Sequence, residues 1–269
     1  MQKITDLTQL SGLLSPFLQK GVFTNNFLML PDYEKYLSQG LLYYTQTETG
    51  VLLFHRRHTH WQLYYFLKRL NASFALPQDK PTVMEIVSRA NDDSFASVLA
   101  FWEKNGFQNR LPRKRMQAFA PQTKLAPARE VNFARHGDAK AVLELIKASF
   151  DPYLGCIPTQ AEIEQKIAQG EVICCKEADK LQGVLEFARK GNTFFIWHLA
   201  VSPQFRRQGV ARKLLAFLSA LMQREGKRKI QLWVQTTNLA ARKLYEQSGF
   251  HDDGWESAGL LYLPKTRKE

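Results

Sequence analysis

Cysteine is scarce: the 269-residue chain has three, two of them adjacent (Cys174 and Cys175) and one alone (Cys156). That number and spacing make neither a disulfide framework nor a metal-ligand set, so reduced thiols and no metal are expected. Long apolar runs are missing as well. No stretch approaches the about eighteen apolar residues of a membrane span, and the N-terminus lacks the basic-then-apolar order of a secretory signal. A cytoplasmic protein with no membrane partner is expected. What is present is core material: 45% of residues are hydrophobic, enough for one large or two ordinary domains.

Acidic residues are outnumbered. The net charge is +12, with 15 Lys and Arg against 9 Asp and Glu in residues 1–128 and 22 against 16 in the remainder, an excess of +6 in each half. Such a balance suits a polyanionic ligand or an anionic substrate and does not by itself choose between them. The run Arg110-Leu111-Pro112-Arg113-Lys114-Arg115 has no interleaved aromatic platform, so nucleic acid is not expected there; it reads as a solvated turn that would attract an anionic acceptor. His55, His58 and His60 with Arg56 and Arg57 read as a solvated hairpin end rather than a metal site.

The most informative stretch is 198–215. The apolar run 194–201 has strand character, Pro203 ends it, and Ala211, Leu215, Leu218 and Met222 then recur at helical spacing. Gly209 and Ala211 therefore sit at a helix start, where the first backbone N–H groups lack intrahelical partners and the dipole is positive. Small residues let a ligand approach that backbone, and Arg206, Arg207, Arg212 and Lys213 add cationic charge suited to a pyrophosphate.

Val201-x-Pro203-x-x-Arg206-x-x-Gly209-x-Ala211 resembles the acyl-CoA pyrophosphate signature of the GNAT acyltransferases. A second stretch, a buried strand at 229–234 followed by Asn238-Leu239-Ala240-Ala241-Arg242-Lys243-Leu244-Tyr245-Glu246-Gln247-Ser248-Gly249-Phe250, resembles that family's second signature. Asn238 and Tyr245 are about two helical turns apart and share a face. The resemblance implies acetyl-CoA as co-substrate, held by Leu199, Ala200, Val201, Arg206, Arg207, Gln208, Gly209, Val210, Ala211, Arg212 and Asn238. It further implies that pantetheine lies along the strand ending at Val201, that backbone amides of 199–201 polarise the thioester carbonyl, and that Tyr245 protonates the leaving thiolate. Glu186 and His198, in neighbouring strands beside the presumed gap, are alternative general bases for the attacking amine.

The first half carries a fainter copy. A helix over 1–21, strand-like runs at 41–44, 51–55 and 61–67, a strand at 82–87 and a helix at 94–104 lead to Trp102-Glu103-Lys104-Asn105-Gly106-Phe107, matching Tyr245-Glu246-Gln247-Ser248-Gly249-Phe250. We read this as a divergent internal repeat. It lacks R-x-x-G-x-A, and only about fifteen residues separate its third and fourth strands, too few for a long helix. The segment 121–128 is Pro-bearing and aperiodic, hence the expected linker.

After it come a strand at 130–134, a helix from an Asp138 cap to Phe150, a loop over 151–158 and a Thr159–Glu162 capping-box helix to about Gln169, whose region by the resemblance covers the acceptor site. A hairpin of 171–176 and 181–188 about Ala178-Asp179 and a last strand at 260–263 paired with one near Phe250 complete the half.

The expected fold is α+β or α/β: two GNAT-like domains, 1–122 (degenerate) and 129–269 (catalytic), each a mixed, mostly antiparallel twisted sheet flanked by helices. The expected protein, a monomer or homodimer, is an N-acetyltransferase acting on a small-molecule or peptide amine. The alternatives are an acyl-CoA-binding regulatory module without catalysis and a tRNA-dependent aminoacyl transferase.

Overall fold

Asp6 starts the first helix by accepting the Gln9 amide at 2.8 Å, and Pro16, which has no N–H, ends it in a 3-10 turn. The helix therefore covers only part of the expected 1–21. The computed structural model describes residues 1–119, 129–178 and 180–264; the expected linker 121–128, Asp179 at the expected hairpin tip and 265–269 lie outside them. In chain order the first elements are β1 (Gln2–Lys3), α1 (Leu7–Leu14), β2 (Phe23–Thr24), α2 (Leu30–Ser38), β3 (Leu42–Thr47), β4 (Gly50–Arg56), β5 (Trp61–Leu67), β6 (Thr82–Arg89), α3 (Asp93–Lys104) and β7 (Gln108–Phe119). Then follow β8 (Val131–Phe133), α4 (Ala139–Ser149), α5 (Gln160–Ala168), β9 (Val172–Glu177), β10 (Lys180–Lys190), β11 (Thr193–Val201), α6 (Val210–Arg224), β12 (Lys229–Gln235), α7 (Leu239–Gln247) and β13 (His251–Tyr262).

The chain forms two compact units, Met1–Pro112 with the chain from Glu256 onward, and Arg113–Trp255. The expected division at 122/129 is not where they part, because β7 and β13 each serve both units. Residues 113–119 of β7 pair antiparallel with β12 in the second unit, whereas Leu260 of β13 enters the first unit's core. The two short strands expected near Phe250 and at 260–263 are one continuous β13. The basic run expected as a solvated turn is likewise strand: Met116 and Ala118 are buried, while Lys114 and Arg115 pair with Asp252 (3.1 Å) and Asp253 (2.7 Å).

In the first unit β1, β3, β4 and β5 are successive antiparallel neighbours, and β6 joins β5 in parallel. That parallel pairing covers only Trp61↔Thr82 and Gln62↔Val83. Beyond it the strands are bridged by Asn25, 3% exposed, whose amide nitrogen donates to the Leu63 and Glu85 carbonyls (3.1 Å each) while its oxygen accepts the Tyr65 amide (2.8 Å). Just before it in the chain, β2 pairs antiparallel with β5. Trp102, which the sequence pattern matches to Tyr245, is fully buried against Tyr65, Phe101 and Phe107.

The second unit runs β8-β9-β10-β11 antiparallel, then β12 parallel to β11, then β7. One face carries α6, packed on Ile173, Leu185, Phe194, Ile196 and Leu232; the other carries α4 and α5, packed on Val172, Cys174, Val184 and Ala200. Each unit is thus a mixed, mostly antiparallel sheet with flanking helices. Burial pushes the Cys174 thiol up to about 12, which keeps it protonated at neutral pH.

His55, expected at a solvated hairpin end, is 3% exposed and stacked on Tyr36 at 3.7 Å between centroids. Burial, with help from Arg57, His60 and Lys35, lowers its pKa from 6.5 to about 4. The folded protein then binds fewer protons here than the unfolded chain. This contribution is complete above about pH 6.5 and is lost as pH falls to 4, at about 3 kcal/mol for this one group. Urea melts between pH 7 and pH 4 should show stability falling over that window, less steeply in His55→Phe.

Candidate functional site: a cleft with an anion-binding end in the second unit

Strands β11 and β12 pair from Thr193↔Lys229 to Ile196↔Leu232 and no further, although β11 continues to Val201 and β12 to Gln235. Backbone groups of a strand that has lost its neighbour need other partners. On its other side β11 also shifts register: Glu186 faces His198 and Phe187 faces Ile196, so Trp197 is a bulge residue with no partner. The bulge turns His198 and Ala200 toward the α4–α5 face and leaves Leu199 and Val201 on the α6 face.

A cleft of about 660 Å³ follows this open edge. Its walls are Leu199, Ala200 and Val201 of β11, Ser149 and Phe150 at the end of α4, and Asn238, Ala241, Leu244 and Gln247 of α7 with its cap. At one end lie Arg206, Arg207, Gly209, Val210, Ala211 and Arg212. Gly209 is the N-cap of α6 at φ 80°, contributes no capping side chain, and so leaves the first-turn N–H groups open to the cleft. Arg207 is also left-handed, at φ 63°. Backbone amides, a helix dipole and three guanidinium groups thus converge on one end, an arrangement that stabilises an anion such as a pyrophosphate.

The expected cofactor residues come together here, with one exception: Gln208 is not on the cleft wall and donates instead to the Gln204 carbonyl at 2.8 Å. Asn238 caps α7, its side chain accepting the Ala241 amide at 3.1 Å. Tyr245 is 7% exposed, 5.6 Å from the Phe250 ring, and packs in the core behind Ala241 and Leu244 rather than lining the cleft. Burial raises its pKa, so the phenol keeps its proton.

Glu186 and His198, expected as alternative bases, are bonded to each other. His198 Nδ1 lies 2.5 Å from Glu186 Oε2 and Nε2 lies 2.7 Å from the Gly155 carbonyl oxygen, with the two side chains 2% and 1% exposed. Lys166, on α5, donates to the other Glu186 oxygen. Burial pushes the Glu186 carboxyl up, but the His198 hydrogen bond and charge and the Lys166 charge outweigh it and hold it below its usual range. Neither group is on the cleft wall. Sequence reasoning missed Lys166, Gly155 and Phe150; only strand proximity could have pointed to them.

Residues 139–250 match the acetyltransferase (GNAT) family. Over 80 residues the chain is 34% identical to the ribosomal protein bS18-alanine N-acetyltransferase of Escherichia coli (strain K12), covering 26% of this chain and 54% of that protein. It is 32% identical over 120 residues to the chloroplastic GCN5-related N-acetyltransferase 4 of Arabidopsis thaliana, covering 44% of this chain and 41% of that one. The chain therefore spans about half the length of the curated relatives it matches. A GCN5-related N-acetyltransferase from Sphaerobacter thermophilus shares the fold over 91% of this chain and 96% of its own, with a TM-score of 0.57 at 16% identity. Among the described residues no group of three or more His, Cys, Asp or Glu could hold a metal, and no helix is long and apolar enough to cross a membrane.

Close packing holds the GNAT segment's helix start in place. A Cβ on Gly183 of β10 would come within 2.8 Å of Val210 and 3.2 Å of Leu214, both on α6, and 3.0 Å of the Ala200 carbonyl oxygen. Gly183→Ala should cost about 1–3 kcal/mol by overpacking. Scanning calorimetry should register a melting-temperature fall of roughly 3–10 °C.

Proposed function

We propose that this protein is an N-acetyltransferase that moves acetyl from acetyl-CoA to a primary amine by direct attack. The observation that carries the reading is the uncapped start of α6, ringed by Arg206, Arg207 and Arg212, at one end of a cleft that runs along the unpaired edge of β11. Pyrophosphate binds at that end, pantetheine completes the missing strand pairing, and the thioester reaches the Leu199 end. Amides of 199–201 there stabilise the oxyanion as the amine attacks; the C–N bond forms, the C–S bond breaks and the leaving thiolate takes its proton from water, Tyr245 being off the cleft wall.

The cleft wall contains neither a carboxylate nor an imidazole among the described residues. The amine therefore loses its proton to water, and turnover follows the acceptor's own ionisation. That same feature favours a second reading, an acyl-CoA-binding module without catalysis.

The first unit is a degenerate copy that binds no acyl-CoA, since β2 and Asn25 occupy the backbone edge that the cofactor uses in the second. For the acceptor, the Escherichia coli relative's name makes a peptide with a free N-terminal alanine the first probe. A cytoplasmic setting and a monomer or homodimer accompany this reading.

A Cβ at Gly209 meets nothing within 4 Å, so Gly209→Glu strains only the left-handed backbone, by about 1 kcal/mol, while its carboxylate enters the anion end. Calorimetry should find the variant folded and its acetyl-CoA affinity reduced at least about 100-fold; retained affinity would overturn the reading. Free-thiol release with the alanine peptide separates transferase from binding module.

Tyr245→Phe keeps the ring. Because the phenol packs off the cleft wall, kcat should stay within about threefold of wild type; a fall of roughly 10²- to 10⁴-fold with the acetyl-CoA Kd unchanged would instead make the hydroxyl the donor to sulfur.

A further inference from the structure

Buried Glu186 and His198, with half-buried Lys166, form a hydrogen-bonded chain. Both imidazole nitrogens face acceptors, a Glu186 carboxylate oxygen and the Gly155 carbonyl oxygen, and a neutral ring has only one N–H to give. With Glu186 held as a carboxylate by Lys166, satisfying both takes a doubly protonated ring. Glu186 compensates that charge, and Lys166 neutralises the second carboxylate oxygen.

What the chain holds is the segment after α4. Asp151 winds it into a turn, its side chain accepting the Tyr153 and Leu154 amides at 2.9 Å, and a Cβ at Gly155 would collide with the Asp151 carbonyl oxygen and Phe150 Cβ. Phe150, which lines the cleft, meets the His198 ring edge-on at 4.6 Å. His198 immediately precedes Leu199, so this wall flanks the end of the cleft away from Arg206–Arg212.

We propose that His198 is a positioning residue: as an imidazolium clamped to Glu186, it latches the 150–155 turn through the Gly155 carbonyl and so sets the cleft wall against which the acceptor amine is held. This rests on the transferase reading only for naming the occupant of that end. The latch replaces the role of general base for His198 and Glu186.

The test uses the full chain. Imidazole ¹⁵N spectra at pH 7 should show both His198 nitrogens protonated. In His198→Phe, amide exchange over 153–155 should rise at least about tenfold. The CoA Kd should stay within about threefold, and the KM for the alanine-terminated peptide should rise at least about tenfold. Glu186→Gln should rescue the latch, because the amide N–H can donate to Nδ1 of a neutral ring whose Nε2–H still holds Gly155; exchange stays near wild type and one ring nitrogen loses its proton.

A singly protonated wild-type ring, or unchanged exchange in His198→Phe, would overturn the proposal. If that variant does not fold, the spectra and Glu186→Gln decide. Neither spectra nor exchange depends on turnover, so a catalytically silent protein with these signatures would remove the transferase reading and keep the latch.

Discussion

The second unit is organised by the point at which two parallel strands stop pairing. At Ile196↔Leu232 the β11–β12 ladder ends, and one residue later the bulge at Trp197 breaks the register with β10. An unpaired stretch of buried strand is costly unless something else satisfies its amides and carbonyls. Here the open edge becomes one wall of a cleft, and the bulge puts His198 on the α4–α5 face and Leu199 on the α6 face. The helix start, the α7 wall and the 150–155 turn are all arranged around that edge.

The first unit meets the same physical problem and solves it internally. Its parallel pair β5–β6 also separates after two residue pairs, but β2 supplies a backbone and Asn25 supplies an amide that spans both strands. Asn25 makes three hydrogen bonds at 3% exposure, so the opening is chemically closed. The connection between β5 and β6 contains no helix, so no helix start faces that opening. The two sheets thus differ in whether the gap is filled by the chain or left open as a cleft.

Charge is handled with similar economy. The basic run around Arg113–Arg115 is spent on strand pairing and on Asp252 and Asp253. The cations at 206–212 instead converge on the cleft, with Arg212 reaching across to Gln247.

Local sequence determined much of this protein. Helical periodicity placed α4 and α6, the resemblance to a second family signature placed α7, the Thr159–Glu162 capping box placed α5, and Gly209 with its arginines marked the anion end, because caps, periodicity and left-handed glycines act within a few residues. The repeated aromatic-Glu-x-x-Gly-Phe pattern led to matching helix ends in both units. Local pattern could not say that β7 and β13 would each serve both units, since strand partners are chosen by distant edges rather than by the strand's own residues. Nor could it place His198: strict alternation from Phe194 and Ile196 would turn it toward α6, and only the bulge, a property of pairing with β10, brought it to Glu186 and Gly155. Residue types and local geometry were written in the chain; which groups meet was decided by register, and register exists only once the sheet has formed.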